Sequence, residues 1–280
     1  MTDVGNATAQ TSAVETSSTA TAMNVTRADV CVIACAEAFR GNGAIVASPM
    51  STVARLGALV ARWTFEPDLL ISDGEAQLLA EPVPLGSEPN APKEGWLPFR
   101  DVFHVVNSGR RHVIMGATQI DRFGNQNISA LGDWRQPKVQ LLGARGAPGN
   151  TANHATSYWV NAHSTRVFVD KVDFASGVGT DRAAQAREVA RHHHLPFVIT
   201  DLAVLDLHGP GATMRLLSVH PGVAIDDVIR ATGFPLALPD DDPAKVTTSR
   251  EPSPTELAII NHLDPKGLRF HEVPRPEATT

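Results

Sequence analysis

Four places along this 280-residue chain put polar groups directly after apolar runs of strand length. The run 44–47 leads into Ser48, Pro49 and Met50, with Ser51 and Thr52 next. The run 69–71 leads into Ser72, Asp73, Gly74 and Glu75. The run 138–142 empties into Gly-Ala-Arg-Gly-Ala-Pro-Gly-Asn at 143–150, and the run 158–162 ends at His163. In an open parallel sheet, ligands bind beyond the carboxyl ends of the strands, so such ends are where chemistry is placed. A strand that turns at once into a helix start offers free N–H groups to an anion or a carbonyl, which marks Ser48. Three glycines and a proline in eight positions exclude the interior of a helix or a central strand, and glycine lets backbone N–H groups approach a ligand closely. The same compositions also describe ordinary turns and a plain surface loop.

Other polar clusters are read as structural. His192, His193 and His194 are consecutive, and neighbours on a helix point about 100° apart, so they do not converge on one ion. Asp240 to Asp242 lack the spaced ligands and distal glutamate of a calcium loop. His163 alone near a strand end reads as a satisfied core histidine. Cys31 and Cys35, four apart, share one helix face as small buried thiols, with no further soft ligand to build a metal site.

The elements that hold these groups follow from capping and periodicity. Thr26 with Asp29 starts a helix that ends at the glycines 41 and 43. A second helix starts at Ser51 or Thr52 and runs to about Trp63. The segment 81–100 is rich in proline and reads as a long loop, with Trp96 and Phe99 plugging a site or pinning the loop. Runs 112–117, 197–200, 202–207 and 214–219 read as strands, 183–193 and 225–231 as helices. Ser253-Pro254-Thr255-Glu256 is a capping box opening the last helix, which ends near Asp264. Strands alternate with helices in the first half and cluster in the second. The expected fold is α/β, three layers around a mostly parallel twisted sheet with antiparallel additions, in a single domain over 26–280. Residues 1–25, rich in Ser, Thr and Ala, read as a disordered tail without a signal-peptide pattern. The net charge of −6 and 42% hydrophobic content give no sign of a nucleic-acid partner. No apolar run approaches the ~20 residues that span a bilayer. A cytoplasmic setting fits the cysteine usage.

The stretch Gly-Ala-Thr-Gln-Ile-Asp-Arg-Phe-Gly-Asn-Gln-Asn at 116–127, with Gly-Asp at 132–133 and Gly-Ala-Arg-Gly-Ala-Pro-Gly-Asn at 143–150, resembles the β-subunit half of class I coenzyme A transferases. The resemblance runs from about Thr26 onward. It implies a CoA-transferase-like fold, a homologous α subunit in an α2β2 assembly, and an acyl-CoA substrate, with CoA part of the substrate and no separate cofactor. The transferases carry a nucleophilic glutamate at the strand end near 73–75. Here Asp73, Gly74 and Glu75 stand there, and no gap-free pairing puts Glu75 on that glutamate. The covalent route is read as lost in favour of a water nucleophile, with the base carboxylate expected largely from the α subunit and Asp73 and Glu75 as this chain's catalytic contributors. Ser48 and the donor loop Gly146, Ala147, Pro148, Gly149 and Asn150 would bind the thioester. The segments 40–79 and 115–150 look like a branch of the family, the β subunits of actinobacterial hydrolases that open steroid-derived rings in cholesterol catabolism. That branch implies hydrolytic C–C cleavage of a cyclic β-keto thioester. The alternatives are a transferase using Glu75, and a scaffold that only supports a catalytic α chain.

Overall fold

A computed structural model describes residues 24–74 and 76–275. Most of the stretch read as a tail, and Glu75, lie outside the described residues. In chain order the main elements are α1 (Arg27–Glu37), β1 (Val46–Pro49), α2 (Thr52–Thr64), β2 (Leu70–Ile71), α3 (Phe99–Asn107), β3 (Arg111–Met115), α4 (Ala147–Asn153), β4 (Ala155–Val160), α5 (Thr180–Gln185), β5 (Val198–Thr200), β6 (Ala203–Gly209), β7 (Thr213–Val219), α6 (Ile225–Ala231), β8 (Thr247–Thr248) and α7 (Pro254–Leu263).

The eight strands form one sheet in the order β8-β7-β6-β5-β4-β3-β1-β2. From β2 to β5 all neighbours are parallel, β6 alone runs against both its neighbours, and β8 is parallel to β7. This is the mostly parallel sheet with an antiparallel addition that the sequence implied. Both faces are buried, so the central strands are apolar without alternation. Ile114, Trp159 and Ile199 face a core shared with α1, α2 and α7. Their neighbours Val113, Met115, Tyr158, Val160 and Val198 face a second core closed by α4, α6 and the loops between them.

Both capping boxes are present, Thr26 with Asp29 on α1 and Ser253 with Glu256 on α7. Cys31 and Cys35 lie buried on one face of α1 as free thiols. Buried charge ties the segment after α7 to α1 and α2. Arg269 donates to Asp29 at 2.8 Å and to Asp264 at 2.9 Å, with all three side chains almost without exposure. Glu272 accepts from the N–H groups of Thr52 at 2.7 Å and Val53 at 3.3 Å, and from Trp159 Nε1 at 2.8 Å. A carboxylate at a helix N-terminus answers both the free donors and the dipole.

Several local expectations are corrected. The segment 81–100 is not one loop: Lys93–Trp96 forms a hairpin with Gln77–Leu79, and Pro98 caps α3, which begins at Phe99. The prolines flank these elements rather than enter them. Trp96 and Phe99 are 72% and 80% exposed rather than plugging a site, and Phe99 meets Phe103 edge-on at 5.3 Å within α3. The helix expected over 183–193 is only α5, ending at Gln185. The run 138–142 contributes Val139–Gln140 to an exposed hairpin rather than a buried strand. The glycine-rich stretch is helical in its second half, because α4 starts at Ala147. Pro148 falls in the first helical turn, where no N–H is required of it.

Candidate active site

The carboxyl ends of β1, β2 and β3 open on two adjoining spaces that share Met50. The larger is a cleft of about 720 Å³. Met50, Met115, Ile128 and Leu142 give it an apolar floor, and Gln126, Asn150 and Arg145 bring polar groups. The smaller, about 170 Å³, lies between the sheet and α3. Its walls carry Ser48, Arg55, Ser72 and Arg111, with Val102 and Val105 of α3 over them.

Local sequence explains how these groups are aimed. The Met50 N–H donates to the Ile114 carbonyl at 2.8 Å, which ends β1 and turns the chain toward Ser51, the cap of α2. The first turns of α2 then put Arg55 over the end of β2, where its Nη1 donates to the Ser72 carbonyl at 2.7 Å. Arg111 opens β3 on the same sheet face as Val113 and Met115, because side chains two apart share a face. Its Nε donates to Ser48 Oγ at 2.8 Å and its Nη1 to Asn150 Oδ1 at 3.2 Å. Burial pulls the Arg111 guanidinium below the ordinary arginine value. Burial also pulls Arg55 down, opposed by the nearby charges of Glu88 and Asp73.

The sequence-derived site residues fall into place unevenly. Ser48 lines the smaller space and is joined through Arg111 to Asn150, which lines the larger one. Gly146 and Ala147 line the cleft beside Asn150, whereas Pro148 and Gly149 do not border it. The backbone donors of this stretch are largely used. The Ala147 N–H goes to Ala144, the Asn150 N–H goes to Gly146, and Pro148 has none. Arg145 takes a left-handed backbone, φ 50°, which non-glycine residues seldom adopt, and its side chain borders the cleft. Asp73 closes a turn. It accepts from the Gln77 N–H at 3.2 Å, its own N–H donates to the Gln77 carbonyl at 2.8 Å, and Lys93 Nζ is 3.6 Å from its carboxylate. Gly74 beside it needs its positive φ of 99°. Arg55, Arg111, Gln126 and Met50 carry the site's remaining chemistry and were not singled out from sequence. The only sequence signal for Arg111 is a cation standing directly before an apolar strand.

His163 is structural. It hydrogen-bonds Thr200 at 3.1 Å and Thr232 at 3.0 Å and stacks on Phe168, and burial lowers its pKa to about 3.

Residues 103–231 match the coenzyme A transferase family. Over 254 residues the chain is 54% identical to the cholesterol ring-cleaving hydrolase IpdB subunit of Rhodococcus jostii, covering 90% of this chain and 98% of that protein. This chain belongs to the coenzyme A transferase family. The IpdB subunit of Mycobacterium tuberculosis is 50% identical over 251 residues, covering 89% of this chain and 98% of its own length. The crystal structure of Rhodococcus jostii IpdAB superposes with a TM-score of 0.84 at 53% identity, over 90% of this chain and 99% of that one. Within the matched segment, residues 115–118, Arg145, Gly146, Ala147 and Asn150 border the cleft, and Val105 and Arg111 border the smaller space.

Proposed function

We propose that this chain is the β subunit of a heteromeric hydrolase that opens the last steroid-derived ring of a cyclic β-keto-acyl-CoA. The reading rests on one observation: 54% identity along nearly the full length of a ring-cleaving hydrolase subunit. Water adds to the ring ketone, and the bond from that carbon to the carbon α to the thioester breaks. The ketone carbon leaves as a carboxylic acid. The electron pair rests on the α carbon as a thioester enolate and then takes a proton. The thioester itself stabilises the carbanion, so no cofactor is required.

In this scheme the apolar side chains of Met50, Met115, Ile128 and Leu142 hold the acyl ring, and the buried polar groups of Gln126 and Asn150 orient the thioester. Asp73 and Glu75 are the carboxylates this chain would bring toward water, and a homologous α subunit completes an α2β2 assembly. We place the complex in the cytoplasm. No helix among the described residues is long and apolar enough to cross a membrane, and both cysteines are free.

The test is to co-produce the chain with its α partner and supply a cyclic β-keto-acyl-CoA in water enriched in oxygen-18. The expected product is a ring-opened acyl-CoA with one heavy oxygen in its new carboxylate. Exchange of labelled CoA between acyl groups, with a glutamyl adduct on Glu75 trapped by borohydride, would overturn the reading in favour of a transferase.

A further inference from the structure

Among the described residues that line the larger cleft, Arg145 alone is charged; the others are apolar or neutral. Its guanidinium has no hydrogen-bond or ion-pair partner among the described residues. The cations of the neighbouring space differ, because Arg111 is held by Ser48 and Asn150, and Arg55 by the Ser72 carbonyl. The Arg145 backbone is also the hardest in the chain to account for. Four described residues other than glycine have a positive φ: Arg145, Ala212, Asp240 and Asp241. Aspartate tolerates the left-handed region, and Ala212 stands in the tight turn between β6 and β7 beside Gly211, whose φ has the same sign. Only Arg145 puts a long side chain there. A left-handed residue points its Cβ where a right-handed or extended one does not, and such strain persists where the direction of a side chain matters. Here that direction is the cleft.

We propose that Arg145 is a catalytic residue of the ring opening, the cation that holds the thioester oxygen as it becomes an enolate. This rests on the ring-opening reading above and adds a residue to it. Once water has added to the ring ketone, the base takes a proton from one hydroxyl of the hydrate. That oxygen re-forms its double bond to carbon, giving the new carboxylic acid. The bond to the α carbon breaks, and its electron pair moves onto the thioester oxygen. The pair then returns to the α carbon to form a C–H bond with the proton that the base gives back. Arg145 keeps its own proton throughout. It offers N–H donors, up to five in a flat fork, to an oxygen that gains full charge only during the reaction. A donor aimed at developing charge speeds the step, whereas one that binds ground and transition states equally does not. The other polar side chains on this wall are neutral and already engaged. Asn150 Oδ1 accepts from Arg111, and the Gln126 amide donates to the Gly116 carbonyl. They suit an uncharged thioester and bring no charge to its enolate.

The two-chain complex is tested first without turnover. Carboxymethyl-CoA carries a carboxylate where the enolate would hold its charge, and carbamoylmethyl-CoA is its neutral counterpart. The wild-type complex should hold the acid about 30-fold more tightly than the amide, the value of a charge-assisted hydrogen bond. Arg145→Gly should remove most of that preference and leave affinity for the amide and for free CoA within about threefold. On a cyclic β-keto-acyl-CoA the same variant should lower kcat about 100-fold with KM within about threefold. Added ethylguanidinium should restore part of that loss, and Arg145→Lys should keep part of the activity. Glycine adopts the left-handed backbone freely, so the thermal midpoint of Arg145→Gly should not fall, and a lost fold does not imitate the result. Equal loss of acid, amide and CoA would assign Arg145 to a CoA phosphate. Unchanged kcat in Arg145→Gly would take it out of the reaction, and equal affinity of the wild-type complex for acid and amide would deny the cleft its cation. Any of these three overturns the proposal. A wild-type complex that prefers the acid yet leaves the ring closed overturns the ring-opening reading instead, and that preference, if lost in Arg145→Gly, still supports Arg145 as the partner of negative charge at the thioester.

Discussion

The two ends of the sheet treat buried polar groups in opposite ways. Toward β4–β8, α1 and α7, several strong charges are paired within the chain. Asp206 takes Arg215 at 2.6 Å, Arg250 bridges Glu37 and Glu256, and Arg269 sits between two aspartates. His163 and His220 there have both ring nitrogens engaged, His163 by two threonines and His220 by Ser249 and the Thr200 carbonyl. Toward β2–β1–β3, α3 buries none of its residues fully, and two guanidiniums border open space. Charge satisfied from inside marks the part of the molecule that only has to persist. Charge left waiting marks the part that meets something else.

The largest expected effect that would test this contrast is acid sensitivity. Burial lowers the pKa of His112 and His163 to about 3, and of His154 and His220 to about 4, all from 6.5. A histidine depressed in the folded state favours folding above its unfolded pKa and gives that up as pH falls below it. Unfolding free energy should therefore decline from pH 6.5 toward 4, by about 1.4 kcal/mol per pH unit for each titrating group. Denaturant melts across that range should show it, and His163→Asn should make the slope shallower by one group's share.

Next in size is Arg269→Leu. It leaves Asp29 and Asp264 buried without their cation, and should cost ~3–5 kcal/mol in urea unfolding. A loss below about 1 kcal/mol would blur the distinction between the two ends.

Glu256 gives a smaller, pH-marked effect. The Arg250 guanidinium, with the Ser253 N–H, holds its carboxyl down at about 2 against an ordinary 4.5. Its contribution is present above pH 4.5 and is lost as pH falls through 2. Glu256→Gln keeps an acceptor for the Ser253 N–H but loses the ion pair with Arg250, so it should flatten that acid limb and cost up to about 1 kcal/mol at neutral pH. The smallest effect should be Arg111→Met. Replacing a desolvated cation that has no carboxylate by an apolar chain should change stability by less than about 1 kcal/mol. A large destabilisation would move Arg111 into the structural group and end the comparison.

Much of the persistent part could be read from sequence, because it is written in local rules. The two capping boxes, the limits of α6 and α7 and the strands β5 to β7 follow from side-chain chemistry at fixed offsets. The edge with the cavities was harder. Proline at Pro98 and Pro148 looked like an interruption, yet at a helix start it is compatible with the helix that follows. Likewise, Arg111 before an apolar strand reads as a surface flank. Only the register of β1 against β3, which sets Ser48 opposite Val113, shows that this side chain runs inward along the sheet to reach Ser48 and Asn150. Pairings between residues 63 and 39 positions apart leave no trace in periodicity. Asp73 was legible as a strand-end carboxylate, but its engagement with Gln77 and Lys93 was not.

Glu272 carries a consequence for anyone who handles this protein. Its one carboxylate seats the first turn of α2 and the indole of Trp159, and α2 in turn carries Arg55 to the rim of the pocket. The segment after α7 is thus a buckle fastened far from where it is sewn on. Glu272→Ala, or any cut ahead of that residue, would slacken a wall of the cavity without touching any residue that lines it.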